Sequence, residues 1–156
     1  MEIEKLALLQ ESRGRTFGAA ELAELVMDQA QLELFKVTDT IAPGEPAAAL
    51  RTWFRLAAWG TDVQQLTPLV LTHLRRAVLV AYGLGDHDAP SAIADESGLN
   101  NWLVTQKLLP FARRLTAANC RRLLAACLAC EHGQKRRPLP PEIAFEQLLF
   151  SASRAD

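Results

Sequence analysis

Apolar residues recur along this chain at the spacing of a helix, and no stretch shows the strict alternation of a half-buried strand. The clearest case is Leu50, Trp53, Phe54, Ala57 and Ala58. That i, i+3, i+4, i+7, i+8 pattern predicts one inward stripe, ended at Gly60, where a left-handed cap costs little. Cys120, Leu123, Leu124, Cys127 and Leu128 repeat the spacing. Thr67-Pro68 predicts an N-cap and a proline in the first turn of a helix. The later part of that helix, "AVLVAY", is apolar on every side, which predicts a position in the middle of a bundle. Shorter helices are expected at 2–10, 19–28, 32–41, 90–97, 100–114 and 141–151. Pro110 lies inside the 100–114 pattern and predicts a kink there or a break just before it. "APGEP" at 42–46, "GLGDHDAP" at 83–90 and "GQKRRPLPP" at 133–141 are expected as loops. The fold class is therefore all-α: a helical bundle preceded by a few short helices.

Residues 93–108, "IADESGLNNWLVTQKL", have the form of a helix-turn-helix, with Ala94, a turn glycine at Gly98, Leu99, and Val104 in the second helix. Such a unit either reads bases or turns one helix back onto a bundle. A base reader binds phosphates with the elements that place its second helix in the groove. Here Asp86, Asp88, Asp95 and Glu96 precede the turn without a basic residue, and residues 99–109 supply only Lys107. Asn100, Asn101, Thr105 and Gln106 are of the type that bonds base edges, whereas Trp102 and Pro110 suit packing and termination. The structural reading, with Ile93, Leu99, Leu103 and Val104 facing inward, is favoured on charge. A helix-turn-helix DNA-binding regulator stands as the alternative.

Composition narrows the function classes further. The 156 residues are 49% apolar, enough for one core-forming domain with at most a small attachment. No secretory signal and no membrane-length apolar run is present, so a cytoplasmic protein is expected. Three cysteines are read as reduced thiols. The net charge of −1 conceals an uneven distribution: residues 1–98 carry 8 basic and 14 acidic side chains, and residues 99–137 carry 8 basic and 1 acidic. The pairs Arg75-Arg76, Arg113-Arg114 and Arg121-Arg122, with Lys135-Arg136-Arg137, suit either phosphates and acidic partners or solvated helix faces.

Catalytic and cofactor chemistry find little support. "SRGRTFG" lacks the Lys-Ser/Thr pair that reaches nucleotide phosphates and magnesium. Cys127 and Cys130 with His132 suggest half a zinc site, but Cys120 lies about 10 Å away along the same helix, and buried small apolar side chains are the favoured reading. His73 and His87 stand apart from any recognisable nucleophile. A small helical enzyme built from scattered His and Asp residues is a distant third possibility. No catalytic, cofactor-binding or metal-binding residue is assigned, and no cofactor is expected.

The order of these segments resembles the delta subunit of the bacterial DNA polymerase III clamp loader. "EIEKLALL", "TFGAAELAELV" and "LELFKVTDTIAPGEPAAALRTWFRLAAWG", with Phe35 and Asp39 before the loop, begin the likeness. "HLRRAVLV", "PSAIADESGLNNWLVTQKLLPFARRLT" and "LPPEIAFEQLLF" continue it, so that it spans roughly residues 2–150. The resemblance implies the end of an AAA+ lid region at 1–43 and a helical collar, which assembles the loader ring, at 46–152. It implies a non-catalytic part in DNA replication, although the resembled subunit belongs to the polymerase III holoenzyme. Other loader subunits, gamma/tau and delta-prime, are the implied partners. The sliding clamp would be met only through an N-terminal module without a counterpart in these residues. Weak, non-specific DNA contact by the basic segment is expected, and no membrane contact.

Aromatic and arginine side chains are enriched in protein interfaces. Trp59 lies near a helix end, where exposure is expected, and Trp102, Phe111 and Phe150 stand near other helix ends where a core narrows. Trp59 and Trp102, beside Arg113, Arg114, Arg121 or Arg122, are the candidate subunit interface.

Overall fold

The computed structural model describes residues 29–41, 44–85, 89–136 and 139–154. The helices expected at 2–10 and 19–28, and the Asp86-His87-Asp88 turn, lie outside the described residues. Among the described residues the chain forms seven helices and no strand, an all-α bundle as expected. They are α1 (Gln29–Thr38), α2 (Pro46–Ala58), α3 (Val63–Gly85), α4 (Pro90–Ser97), α5 (101–112), α6 (Ala117–Arg136) and α7 (Pro141–Ser153).

Local chemistry accounts for most of the boundaries. Pro46, Pro90 and Pro141 open α2, α4 and α7, where the missing N–H would have had no helical acceptor. Gly60 ends α2 in the left-handed region at φ 89°; the Thr61 N–H reaches the Leu56 carbonyl at 3.1 Å and the Gly60 N–H that of Ala57 at 3.0 Å. This double closure satisfies carbonyls that the helix end leaves open. Gly98 ends α4 in the same way at φ 65°, with Leu99 N–H donating to Ala94 at 3.0 Å. Thr116 and Asn119 cap α6 reciprocally: the Asn119 N–H donates to Thr116 Oγ1 at 3.1 Å and the Thr116 N–H to Asn119 Oδ1 at 3.2 Å.

Three expectations are corrected. The long helix starts at Val63 rather than at Thr67, because Asp62 accepts the Gln64 N–H at 2.8 Å and caps it. Thr67 sits inside that helix, its hydroxyl donating to the Val63 carbonyl at 2.7 Å, and Pro68 is tolerated one turn in. Secondly, the interruption expected at or just before Pro110 takes the form of a widened turn and not of a chain break. The turn before it, Val104–Leu108, widens to π geometry, and α5 resumes at Leu109–Ala112. Proline removes one i to i−4 bond and crowds the carbonyl it would have bonded, and a wider turn accommodates both. Thirdly, the inward stripe of α2 is Ala49, Thr52, Trp53 and Leu56. Phe54 is turned outward, 52% exposed.

One continuous core unites the elements, and it takes Leu34, Phe35 and Val37 from α1 as well as side chains from every later helix. Helix α3 packs against α1, α6, α5, α7 and α4, in keeping with its expected central position. One stripe of it stays open, however, with Leu79 and Tyr82 each about half exposed. The centre is marked by Trp53 of α2 against Phe145 of α7, ring centroids 4.9 Å apart at 76°. Both rings are buried. An edge-to-face pair of this kind adds about 1 kcal/mol beyond the area it buries. Where α3 crosses α4, Gly83 permits close approach: a β-carbon there would lie 2.9 Å from Ile93 Cγ1.

Candidate partner-binding face

Helix α2 shows two faces because its apolar arc is wider than the surface its neighbours cover. Trp53 and Leu56 enter the core, while Phe54 and Trp59 remain outside. Trp59, the residue after the last turn of α2, is 77% exposed, in accord with its place near a helix end. It borders a cleft of about 270 Å³ with Lys36, Thr40, Thr52, Arg55 and Leu56. Next to it, Thr40, Thr52 and Arg55 are shared with a depression of about 450 Å³ that also includes Arg51 and Phe54. Phe54 in turn leads to a third, of about 340 Å³, with Ile143, Glu146 and Phe150 of α7. The three form one surface, from α1 across α2 to α7.

The other candidate residues lie elsewhere on the bundle. Trp102 is half-buried in the first turn of α5, its ring 6.0 Å from the Lys107 ammonium. The same ammonium stands 4.7 Å over Phe35 of α1. A cation over aromatic faces at such distances is held by their quadrupoles. Arg113 and Arg114 are exposed just after α5, with the Arg114 guanidinium 5.6 Å over the buried Phe111 ring. Phe111 is thus core rather than surface. Lys107 and Arg114 both act on Asp39, but burial dominates and raises its carboxyl pKa above the usual value. Arg121 and Arg122 stand on α6, the first exposed and the second half-buried. The structure therefore gathers Trp102, Lys107 and Arg114 near the end of α1, sets Trp59 in the clefts along α2, and leaves Arg121 and Arg122 on a different helix.

Sequence reasoning passed over Phe54, Arg51, Arg55 and Ile143 as surface residues. The available signal was Arg51-x-x-x-Arg55, one turn apart, which marks that flank of α2 as solvent-facing with Phe54 between them.

The helix-turn-helix resolves in its local geometry as a packed turn. The side chain of Asn100, a candidate base contact, accepts the Trp102 N–H at 2.8 Å and caps α5. Thr105 turns its hydroxyl back to the Asn101 carbonyl at 2.8 Å. Val104 and Leu108 are wholly buried, whereas Leu99 and Leu103 are partly so. Asn101 and Gln106 remain exposed.

The titratable groups of the core favour packing over chemistry. Cys120, Cys127 and Cys130 are buried and reduced. Burial pushes the Cys127 thiol up to about 11 and raises the other two, so all three stay protonated at neutral pH. Among the described residues no three His, Cys, Asp or Glu side chains converge in a geometry for a metal ion. His73 is buried edge-on to Phe35 at 5.6 Å. Its pKa falls to about 4, first through burial and then through the charges of Arg76 and Lys107. Arg75 and Glu131 tie α3 to α6 through a 2.7 Å ion pair, both side chains partly exposed. No helix among the described residues is long and apolar enough to cross a membrane.

Comparison with known proteins assigns the class of fold. No protein-family model matches the chain, and no curated protein matches it in sequence. A solved structure, the Bacillus subtilis DNA clamp loader delta protein YqeN, superposes with a TM-score of 0.73 at 15% sequence identity, over 97% of this chain. The chain spans 44% of the length of that protein. The architecture is thus of a kind found within a clamp loader delta protein.

Proposed function

We propose that this chain is a non-catalytic clamp-loader component of DNA replication, a delta-like subunit part whose helical bundle serves as the collar holding it in the loader ring. The observation that carries the reading is the superposition on a clamp loader delta protein across nearly the entire chain. In this reading residues 1–43 correspond to the end of a lid region and 46–152 to the collar, with α1 lending its apolar face to the collar core. Gamma/tau and delta-prime collars are the partners, and the site of action is the cytoplasm. Trp59, Trp102, Arg113, Arg114, Arg121 and Arg122 are proposed as the contacts. Contact with the sliding clamp belongs to a further module of the delta-type subunit.

The packed turn at Gly98 supports this role over that of a base-reading regulator, since the Asn100 side chain is spent on capping and the apolar face of α5 on the core. The test is co-purification of the chain with gamma/tau and delta-prime. Circular dichroism on the same samples checks that the bundle is folded. A complex that weakens on charge reversal at Arg113 and Arg114, with helicity unchanged, is the expected result. A well-folded chain that associates with no loader subunit would overturn the proposal.

A further inference from the structure

From the charge and shape of the outer face of α2, we infer that this face docks an acidic amphipathic segment of a protein partner. Its apolar side chains would seat beside Phe54 and Trp59, and its carboxylates would meet Lys36, Arg51 and Arg55. Two adjoining clefts, of about 270 and 450 Å³, carry these three cations. Among the described residues no carboxylate lines either cleft; Glu146 enters only at the far end, beside Phe150. Asp39, just past the end of α1, lies in the field of Lys107 and Arg114 instead, and Glu33 of α1 lines neither cleft. Threonines 40 and 52 line the ground shared by the two clefts, so the surface is apolar at its two aromatic points and cationic between them.

Charge and apolarity together define the occupant. A bare polyanion would use the cations and leave an indole 77% exposed and a phenyl ring 52% exposed in water. A purely apolar partner would bury three cations without counter-charge, which costs more than the contact returns. An acidic helix with one apolar face satisfies both. Residues 54 and 59 are about 7.5 Å apart along the helix axis and about 140° apart around it, with Arg55 on the arc between them, so the partner's apolar side chains must straddle that cationic flank. Tryptophan and arginine are also the side chains on which interface energy concentrates. Trp59 belongs to the contacts proposed above, and to that extent the inference rests on the loader reading.

The test uses the full chain and fluorescein-labelled synthetic peptides. The main probe has leucine at helical spacing and glutamate elsewhere. The controls are its lysine-for-glutamate twin, a leucine-free glutamate/alanine peptide, and oligothymidylate. Anisotropy at about physiological salt should show the Glu/Leu peptide bound at least about tenfold more tightly than every control. Arg51→Glu with Arg55→Glu should weaken it about tenfold and shift preference to the lysine twin. Trp59→Ala should weaken it by a similar factor while leaving the far-ultraviolet spectrum unchanged. Arg51→Gln with Arg55→Gln serves where the reversal perturbs folding. Absent binding, equal binding of the twins, indifference to both sets of variants, or oligothymidylate as the preferred ligand would each overturn the inference. The loader complex separates the two readings. Loader association without binding of the Glu/Leu peptide removes this inference and keeps the loader role, whereas peptide binding without loader association does the reverse.

Discussion

Acidification should destabilise this bundle through His73, and the size of the effect follows from its surroundings. The imidazole is only 5% exposed, lies edge-on to Phe35, and has the cations of Arg76 and Lys107 nearby. Its pKa is about 4 in the folded chain and near 6.5 in the unfolded one. Between those values the unfolded chain binds the extra proton, so stability falls as the pH falls. The contribution is present in full above about pH 6.5, is reduced by about 2 kcal/mol at pH 5, and by about 3 kcal/mol near pH 4. Other groups titrate in the same range; Asp39, whose pKa is raised, works in the opposite sense. The comparison that isolates His73 is therefore with His73→Leu, which keeps a side chain of similar size in place and carries no titrating group. Urea unfolding followed by circular dichroism at pH 7.5, 6, 5 and 4.5 supplies both curves. The parent should lose stability relative to the variant as the pH drops, by about 2 kcal/mol at pH 5. Parallel curves, or a proton-NMR titration of His73 in the folded chain with a midpoint near 6.5, would refute the reasoning.

Three further outcomes are expected. Phe145→Ala removes the ring facing Trp53 in the centre of the core and should cost about 3–5 kcal/mol, read from urea midpoints; a loss under 1 kcal/mol would mean the core closes over the cavity. Gly98→Ala forces a β-carbon into left-handed backbone at φ 65° and should destabilise the turn by about 1 kcal/mol, with Gly98→Asn costing less; equal stabilities would contradict the cap assignment. DNA binding by the chain should be weak, indifferent to sequence and steeply reduced by salt, because counterion release is all that drives it; a footprint confined to one duplex at physiological salt would favour the regulator.

Much of the fold was legible because it rests on short-range chemistry. A proline that opens a helix, a glycine in left-handed backbone that closes one, and an apolar repeat of 3.6 residues act within a few positions of the chain. On that basis α4 was placed at its observed bounds, α2 was ended at Gly60, the turn at Gly98 was located, and the three cysteines were put inside. The likeness in segment order to a clamp loader delta subunit drew on the same signals, and the fold agrees with it at low sequence identity. What escaped was decided between helices. The side of α2 that faces inward depends on α7, whose Phe145 receives Trp53 and leaves Phe54 outside, and a helix with apolar residues around most of its circumference does not carry that choice itself. The start of α3 at Asp62, not Thr67, reflects two adequate caps five residues apart, of which the packed bundle uses the one that buries Val63 and Leu66. Pro110 was recognised as a defect, but its repair by a π turn depends on Val104 and Leu108 both being held in the core. The candidate face was the least legible of all, because Lys36, Arg51, Phe54 and Trp59 become neighbours only when α1 lies along α2. Contacts of that kind are set by the loops and neighbours that orient whole helices, and no local pattern encodes them.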